Sequence, residues 1–208
     1  MSDVNRKKQL FNAVQGYIKI FLAVFLIIQL SISATAATAE EMEAPIDIQI
    51  PLFLKILPYD RNLEKRVGDE IVIGILYQEK FRTSLNVKNQ IEDYLKNSGN
   101  KKIEDIPFRC VSINLRSLSE VKTTLAREEV DIVYITPLRA IAVETLVSVC
   151  RSMGITSLTG VPAYCELGIA ISIGSKGESP LIIINLTGAR SEGADFSSRL
   201  LKLAKVIK

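Results

Sequence analysis

An alternation of apolar runs and amphipathic stretches between residues 70 and 160 is the strongest constraint on the fold. Residues 71–77 read Ile-Val-Ile-Gly-Ile-Leu-Tyr, a continuous apolar run typical of a strand covered on both faces. Comparable runs lie at 108–115, 131–135 and 155–158, and stretches with apolar residues at helical spacing separate them. This order predicts parallel βαβ units with right-handed crossovers. The predicted fold class is therefore α/β, a single domain with a mostly parallel sheet.

The helices between these strands carry boundary signals. Ser117 followed by Glu120 forms a capping box, in which the serine hydroxyl accepts a backbone N–H of the first turn. Gly99 and Gly154 each follow a helical stripe, and each predicts the end of that helix because glycine adopts the left-handed conformation at little cost.

The segment before the first strand predicts one more helix. Residues 50–57 place apolar side chains at helical spacing, with Pro51 suited to a first turn and Pro58 ending the helix. Residues 46–50 alternate apolar and polar side chains like a strand, so the helix is expected to begin at residue 50.

After Gly160 the pattern changes to that of a C-terminal β-hairpin and a terminal helix. Residues 169–173 and 181–185 flank a segment rich in Gly, Ser and Pro, which predicts two antiparallel strands with a longer loop. Asp195 is expected to be the N-cap of the last helix. The core-facing stripe of that helix is predicted to be Phe196, Leu200, Leu203, Ala204 and Ile207.

The leader, residues 1–39, has the layout of a secretory signal peptide. A basic section ends at Lys19, an apolar core follows, and small residues lead to Glu40. We expect cleavage after Ala36 or Ala39, with residues 40–208 as the periplasmic domain. The alternative is an uncleaved anchor, because no charge lies between Lys19 and Glu40 and about 20 apolar residues span a bilayer.

The net charge of the chain is located in the leader. The chain contains 26 Lys and Arg residues and 23 Asp and Glu residues, a formal charge of +3. Four basic residues and one acidic residue of the leader account for the whole excess, so residues 40–208 are charge-balanced. The charge gives no reason to expect a nucleic-acid partner.

The composition excludes several kinds of catalytic and metal sites. The sequence contains no His and three Cys, so a Ser-His-Asp triad, a Cys-His dyad, a His-ligated metal and a Cys₄ zinc site are excluded. The turn after residue 77 reads Gln-Glu-Lys-Phe and lacks the glycines of a dinucleotide site. We therefore expect no enzyme activity, no metal and no cofactor.

The cysteines leave two interpretations open. Cys110 falls within a predicted strand and Cys150 on the apolar face of a predicted helix, so both are expected to be buried. A disulfide between Cys150 and Cys165 would close a loop over the fourth strand and would stabilise the domain by about 3 kcal/mol. The alternative is three free thiols.

One polar segment is a candidate binding element. Tyr59, Asp60 and Arg61 follow the predicted helix stop at Pro58, and loops at element ends often carry binding residues. The alternative is a capped turn held by an Asp–Arg pair.

The C-terminal part of the chain resembles the YfiR family, a group of exported bacterial domains. The residues that carry the resemblance are Leu158-Thr159-Gly160-Val161-Pro162, Ile184-Asn185-Leu186, Ala189-Arg190, Gly193 and the segment from Phe196 to Ala204. The family commonly has Asn-Phe and Glu-Trp-Pro stretches near its start. This chain has Leu54 to Arg61 there instead, which indicates a divergent branch.

The resemblance implies a periplasmic regulator that binds an inner-membrane sensor. Family members studied as regulators hold a membrane diguanylate cyclase inactive, and a histidine kinase is a second class of sensor that such a regulator could bind. Asn185, Arg190 and Glu192 are then candidate contact residues, and Tyr59, Asp60 and Arg61 form a second candidate patch. Asn185 and Arg190 have the alternative role of bracing the hairpin–helix junction, and homodimer formation stays open.

The alternative function is that of a periplasmic small-ligand-binding domain, resembling one lobe of a periplasmic binding protein. Ligands of open α/β sheets lie beyond the carboxyl ends of the strands. That edge is predicted to contain Tyr77-Gln78, Arg116, Thr136-Pro137 and Thr159-Gly160.

Overall fold

The computed structural model describes residues 41–99, 101–139 and 141–208, and the predicted signal peptide lies outside these residues. The helices are α1 (Ile46–Ile56), α2 (Leu63–Arg66), α3 (Arg82–Asn97), α4 (Leu118–Arg127), α5 (Val143–Met153), α6 (Pro162–Glu166), α7 (Leu186–Ser191) and α8 (Ser198–Leu201), with a 3₁₀ turn at Leu57–Tyr59. The strands are β1 (Ile71–Tyr77), β2 (Lys102–Ile103), β3 (Ile106–Asn114), β4 (Ile132–Ile135), β5 (Thr156–Thr159), β6 (Ile171–Lys176), β7 (Ser179–Asn185) and β8 (Lys205–Ile207).

Within the described ranges, these strands form one eight-stranded sheet in the order β2-β3-β1-β4-β5-β6-β7-β8. The β1–β3, β1–β4, β4–β5 and β5–β6 pairs are parallel, as the βαβ pattern predicts. The β6–β7 pair is an antiparallel hairpin, and β8 lies parallel to β7. The predicted fold class, a single α/β domain with a mostly parallel sheet, is confirmed.

The sheet separates two apolar cores, and the two-residue period of the strands divides their side chains between them. Ile71, Ile73 and Ile75 pack into the core that α1 and α3 cover. Val72 and Leu76 point to the other face and join the core under α4 and α5. Both faces are therefore covered, which explains why residues 71–77 are apolar without alternation.

The predicted helix boundaries between the strands are confirmed. The Ser117 hydroxyl accepts the Glu120 N–H at 3.3 Å, as a capping box requires. Gly154 closes α5 with a φ of 67°, and Gly99 follows α3 with a φ of 65°.

The first helix begins earlier than predicted. It starts at Ile46, so Pro51 lies inside α1 and not in its first turn. The side chains buried by α1 include Ile46, Gln49, Ile50 and Phe53, which share one helical face. The polar Gln49 within this stripe produces the strand-like alternation of residues 46–50.

Two predictions for the C-terminal region are wrong in detail. Lys176 pairs with Ser179, so the β6–β7 loop has only two residues and not a longer loop. The terminal helix is a single turn, α8, and Ser197 instead of Asp195 occupies its N-cap position, without a capping hydrogen bond from the side chain. Leu203 is 68% exposed, and the last residues form β8 because the free edge of β7 offers backbone partners.

Candidate partner-binding site

Backbone contacts bring one of the two predicted contact patches, residues 59–61, next to the chain that leaves α7. The chain around Asp60 forms an isolated antiparallel bridge with Phe196. The Arg61 N–H donates to the Asp195 carbonyl at 3.0 Å, and the Ser197 N–H donates to the Tyr59 carbonyl at 2.9 Å. Residues 59–61 therefore lie directly beside the segment that follows α7.

Asp60 holds this arrangement from inside. Its side chain is almost fully buried, and its Oδ1 accepts the N–H groups of Asn62 at 3.0 Å and Asp195 at 2.8 Å. Its Oδ2 forms an ion pair with Arg66. The expected Asp–Arg pair within residues 59–63 is not formed: Asp60 is paired with Arg66, which is half-buried, and the adjacent Arg61 is paired with Asp195.

Arg66 connects this segment to the sheet. Its Nη1 donates to the carbonyls of Gly154 at 3.0 Å and Glu192 at 3.3 Å, and its Nη2 donates to the Thr156 hydroxyl at 2.9 Å. Its Nε is buried without a hydrogen-bond partner. No pattern in the sequence identifies Arg66 as a residue of this site. Apart from Asp60, its hydrogen-bond partners lie 88 to 126 residues further along the chain.

Glu192 is a completely buried carboxyl at the centre of the same region. It accepts the Ser157 N–H at 2.8 Å and the Ser157 hydroxyl at 2.6 Å. Burial raises the pKa of Glu192 to about 7, against the Ser157 hydrogen bonds and the charges of Arg151 and Arg66. We call Asp60, Arg66, Thr156, Ser157 and Glu192 the polar junction.

Asn185 has a capping role at the hairpin end. Its Oδ1 accepts the Gly188 N–H at 2.7 Å, which caps α7, and its Nδ2 donates to the Cys165 carbonyl at 2.7 Å. Since Asp60, Asn185 and Glu192 are buried, they position the surface instead of forming it. Arg61 and Arg190 are exposed and Tyr59 is half-buried, so these three are the predicted contact residues that solvent reaches.

The cysteines are free thiols in the structure, so the Cys150–Cys165 disulfide is not formed in it. Cys150 and Cys165 are buried, and Cys110 is half-buried. Burial raises the pKa values of Cys110 and Cys165 to about 12 and raises that of Cys150 further. None of these thiols has the thiolate character of a nucleophile.

At the carboxyl edge of the sheet, the loops after β1 and β4 are joined to each other. The Gln78 side chain donates to the Arg139 carbonyl at 2.9 Å and accepts the Arg139 N–H at 2.6 Å. Below it, the hydroxyls of Ser84 and Thr136 lie 2.6 Å apart and both are buried. The place between β1 and β4 where such sheets hold ligands is therefore filled by the chain itself.

Gln49 fills the neighbouring position over β5. Its Oε1 accepts the Tyr134 hydroxyl at 2.7 Å, its Nε2 donates to the Ala44 carbonyl, and its carboxamide packs on Gly160. Thr159 is also fully buried and donates to the Ile135 carbonyl at 2.9 Å. A polar residue within the apolar stripe of α1 was the only sequence signal for this contact.

Clefts of about 590, 360 and 180 Å³ are open on the described part of the chain. The largest of these three lies at the amino edge of the sheet and has Arg66, Arg109 and Asp131 among its lining residues. The second lies between α1, α3 and β2 and has Leu54, Tyr94 and Ile103 among its lining residues. A groove of about 180 Å³ between α4 and α5 contains Arg116, the remaining residue predicted for the carboxyl edge. Across the described ranges, no group of three His, Cys, Asp or Glu side chains suited to a metal ion occurs, and no helix is long and apolar enough to cross a membrane.

The sheet order defines an open, mostly parallel α/β fold. One similar solved structure is a conserved domain protein from Vibrio cholerae O1 biovar eltor, with a TM-score of 0.59 and 14% sequence identity over 82% of this chain and 66% of that one. Another is the ABC domain from Streptococcus pneumonia in complex with L-Trp, with a TM-score of 0.54 and 19% identity over 78% of this chain and 62% of that one. A third is CD0873, a substrate binding protein with adhesive properties from Clostridium difficile, with a TM-score of 0.52 and 14% identity over 79% of this chain and 60% of that one. The chain covers less than two thirds of each, and at these identities the likeness concerns the fold alone.

The family is established by sequence. The model of the YfiR/HmsC-like family matches residues 56–205, and the chain belongs to that family. YfiR-like domains are periplasmic regulatory domains. Comparison with curated proteins found no match.

Proposed function

We propose that the chain is a periplasmic regulator that holds a membrane-bound sensor, such as a diguanylate cyclase, inactive by direct contact. Membership of the YfiR/HmsC-like family over residues 56–205 carries this proposal. A histidine kinase is the second sensor class that fits the same role. In either case the chain acts by binding and not by catalysis.

The chemistry of the chain supports binding over catalysis. The sequence contains no His, and burial holds the pKa of every cysteine thiol well above neutrality. Glu192, the carboxyl with a pKa near 7, is fully buried and engaged by Ser157, so no substrate reaches it. Neither the cysteine thiols nor Glu192 therefore supplies a nucleophile–base pair.

The polar junction supports a contact surface around the joined segments. Asp60 and Arg66 hold residues 59–61 against the chain that follows α7, which presents Arg61 and Arg190 to solvent on a rigid base. Arg61 is itself paired with Asp195 at 3.2 Å, with both side chains about half exposed. Surface arginines on such a base are frequent anchors in protein interfaces.

Deletion and complementation in the source bacterium test the function. Deletion of the gene is expected to raise cyclic-di-GMP, and the wild-type chain is expected to restore the low level. Arg190→Glu is expected to fail while accumulating normally, whereas Arg82→Glu, an exposed arginine on α3, is the matched control. No change in cyclic-di-GMP on deletion, with no membrane protein co-purifying with the tagged chain, would reject a cyclase partner.

The second candidate function is small-ligand binding, which the open cleft at the amino edge of the sheet favours. Its volume of about 590 Å³ falls in the range that holds metabolites. A ligand at 100 times its dissociation constant would add about 2.7 kcal/mol to the free energy of unfolding. A thermal-shift screen of the exported chain with amino acids and nucleotides would detect this, and the absence of any shift would count against it.

A further inference from the structure

The C-terminal end of the domain concentrates basic charge. Residues 199–208 contain four basic side chains, Arg199, Lys202, Lys205 and Lys208, and no acidic one. Residues 40–198 contain 18 basic and 22 acidic residues. The zero net charge of residues 40–208 is therefore the balance of a body with a charge of −4 and a terminal segment with a charge of +4.

These four cations are not neutralised within the fold. All four side chains are exposed. Across residues 41–99, 101–139 and 141–208, none of them forms an ion pair or a side-chain hydrogen bond with another residue. The nearest acidic side chain along the chain, Asp195, is already paired with Arg61 at 3.2 Å. The charge of the segment is therefore available to an anion outside the chain.

The segment lies on the outer edge of the sheet. Arg199 belongs to α8, Lys202 follows that helix, and β8, the last strand in the sheet order, begins at Lys205. β8 pairs with β7 on its inner side. Lysines on an edge strand by themselves discourage pairing with another strand. Arg199 and Lys202 precede the strand, so protection of the edge does not account for them.

Leu203 adds an apolar side chain to the same surface. It is 68% exposed, more than any other large apolar side chain on the described part of the chain. Its neighbours Leu200, Leu201 and Ala204 pack on the core, so the turn is anchored while Leu203 points away from the domain. Basic side chains around an exposed apolar one are typical of surfaces that bind a lipid interface. We call Arg199, Lys202, Leu203, Lys205 and Lys208 the basic edge.

We propose that the basic edge docks the domain on a membrane surface that contains anionic lipids. The four cations would lie among the lipid phosphates, and Leu203 would enter the apolar boundary below them. The inference rests on the proposed function for its biological role, because a regulator of a membrane-bound sensor acts at that surface.

The charge distribution favours a lipid surface and gives the domain one orientation on it. An extended anionic surface attracts the basic edge and repels the body, whose charge is −4, so the basic edge faces the lipid. A purely acidic protein segment would match the four cations but would leave Leu203 without an apolar environment. The exposed leucine among the cations is therefore the observation that selects the lipid.

Sedimentation with vesicles tests the docking directly. The exported chain is mixed with vesicles of phosphatidylglycerol and phosphatidylcholine, or of phosphatidylcholine alone, and the bound fraction is measured at rising lipid concentration. Each lysine at an anionic surface contributes about fivefold to binding, so Lys202→Glu/Lys205→Glu is expected to bind at least about 25-fold more weakly. Lys80→Glu/Lys122→Glu, which reverses two exposed lysines elsewhere, is the matched control and is expected to bind like wild type.

A single tryptophan reports whether position 203 enters the lipid, because the chain contains no Trp. The emission of Leu203→Trp is expected to shift to shorter wavelength with the phosphatidylglycerol vesicles and not with phosphatidylcholine alone. Leu118→Trp, at a leucine that is 40% exposed on α4, is the control and is expected to show no shift. Leu203→Trp keeps every charge, so this measurement decides even if the double lysine variant does not fold.

Vesicle binding is measured without the sensor, so its outcome is independent of the proposed function. Equal binding to both kinds of vesicle, equal binding by wild type and Lys202→Glu/Lys205→Glu, or an unshifted Leu203→Trp emission would each overturn lipid docking. Loss of repression by the double lysine variant, with no vesicle binding by wild type, would assign the basic edge to a protein partner instead. The deletion and complementation experiment tests the proposed function separately.

Discussion

Replacement of Glu192 by glutamine is expected to remove a pH dependence from the stability of the domain. Burial raises the pKa of the Glu192 carboxyl from its ordinary 4.5 to about 7. A carboxyl with a higher pKa in the folded than in the unfolded chain binds its proton more tightly when folded. Its contribution to stability is therefore complete below pH 4.5 and is lost as the pH rises to about 7.

The magnitude follows from the two pKa values. At about 1.4 kcal/mol for each tenfold change in proton affinity, the difference between 4.5 and about 7 amounts to about 3 kcal/mol. Glutamine fits the site, because its carbonyl oxygen accepts the Ser157 N–H and its amide donates to the Ser157 hydroxyl oxygen. The variant therefore keeps both hydrogen bonds but has no proton to lose.

Urea denaturation at pH 4 and pH 8 measures the effect. Between these values the wild-type chain is expected to lose about 3 kcal/mol more than Glu192→Gln. The pKa of Asp131 is also raised by burial, but this residue is present in both chains and its effect cancels in the comparison. An equal loss in both chains would refute the reasoning, since it would mean that folding does not change the proton affinity of Glu192.

Three further predictions concern packing, capping and the thiols. Gly160→Ala is expected to lower the free energy of unfolding by about 2 kcal/mol, because the added methyl group overlaps the buried Gln49 carboxamide. Gly68→Ala is the control, since a methyl group there meets nothing within 4 Å. Equal stability of the two variants would contradict the contact between Gly160 and Gln49. Asn185→Ala is expected to cost about 1–3 kcal/mol in urea denaturation, since it removes the α7 cap and a buried hydrogen bond, and an unchanged midpoint would argue against both. The three thiols are expected to react slowly with a thiol reagent in the native chain and fully in urea, because burial raises their pKa values; labelling of only one in urea would instead indicate a disulfide.

Local patterns predicted the elements whose signals are complete within a short stretch. Residues 71–77 form β1 as expected, and Ser117 caps α4, because an unbroken apolar run and a capping box need no distant partner. The start of α1 was missed because Gln49 interrupts its apolar stripe, and its buried partner Tyr134 lies 85 residues away. The prediction that the terminal helix extends to Ile207 was wrong, because the apolar spacing of residues 196–207 also fits one helical turn followed by a short strand.

The candidate site was predictable only in part. Asp60 and Arg61 stood out as a polar segment after a helix stop, and Glu192 as a polar residue of the terminal motif. That Asp60 and Glu192 belong to one buried network was not predictable, because Arg66 and Ser157 complete it from other parts of the chain. Of the predicted contact residues, Asp60, Asn185 and Glu192 are buried. Arg61 and Arg190 are exposed.

Periodicity, composition and motif are properties of neighbouring residues, so the βαβ order, the absence of histidine chemistry and the family could all be predicted without a structure. The burial of particular polar residues, and the positions of Gln49 and Gln78 at the carboxyl edge of the sheet, became evident only in the folded chain. The reason is physical: a buried polar side chain is stable only with hydrogen-bond partners, and the fold brings those partners from positions far apart in the chain.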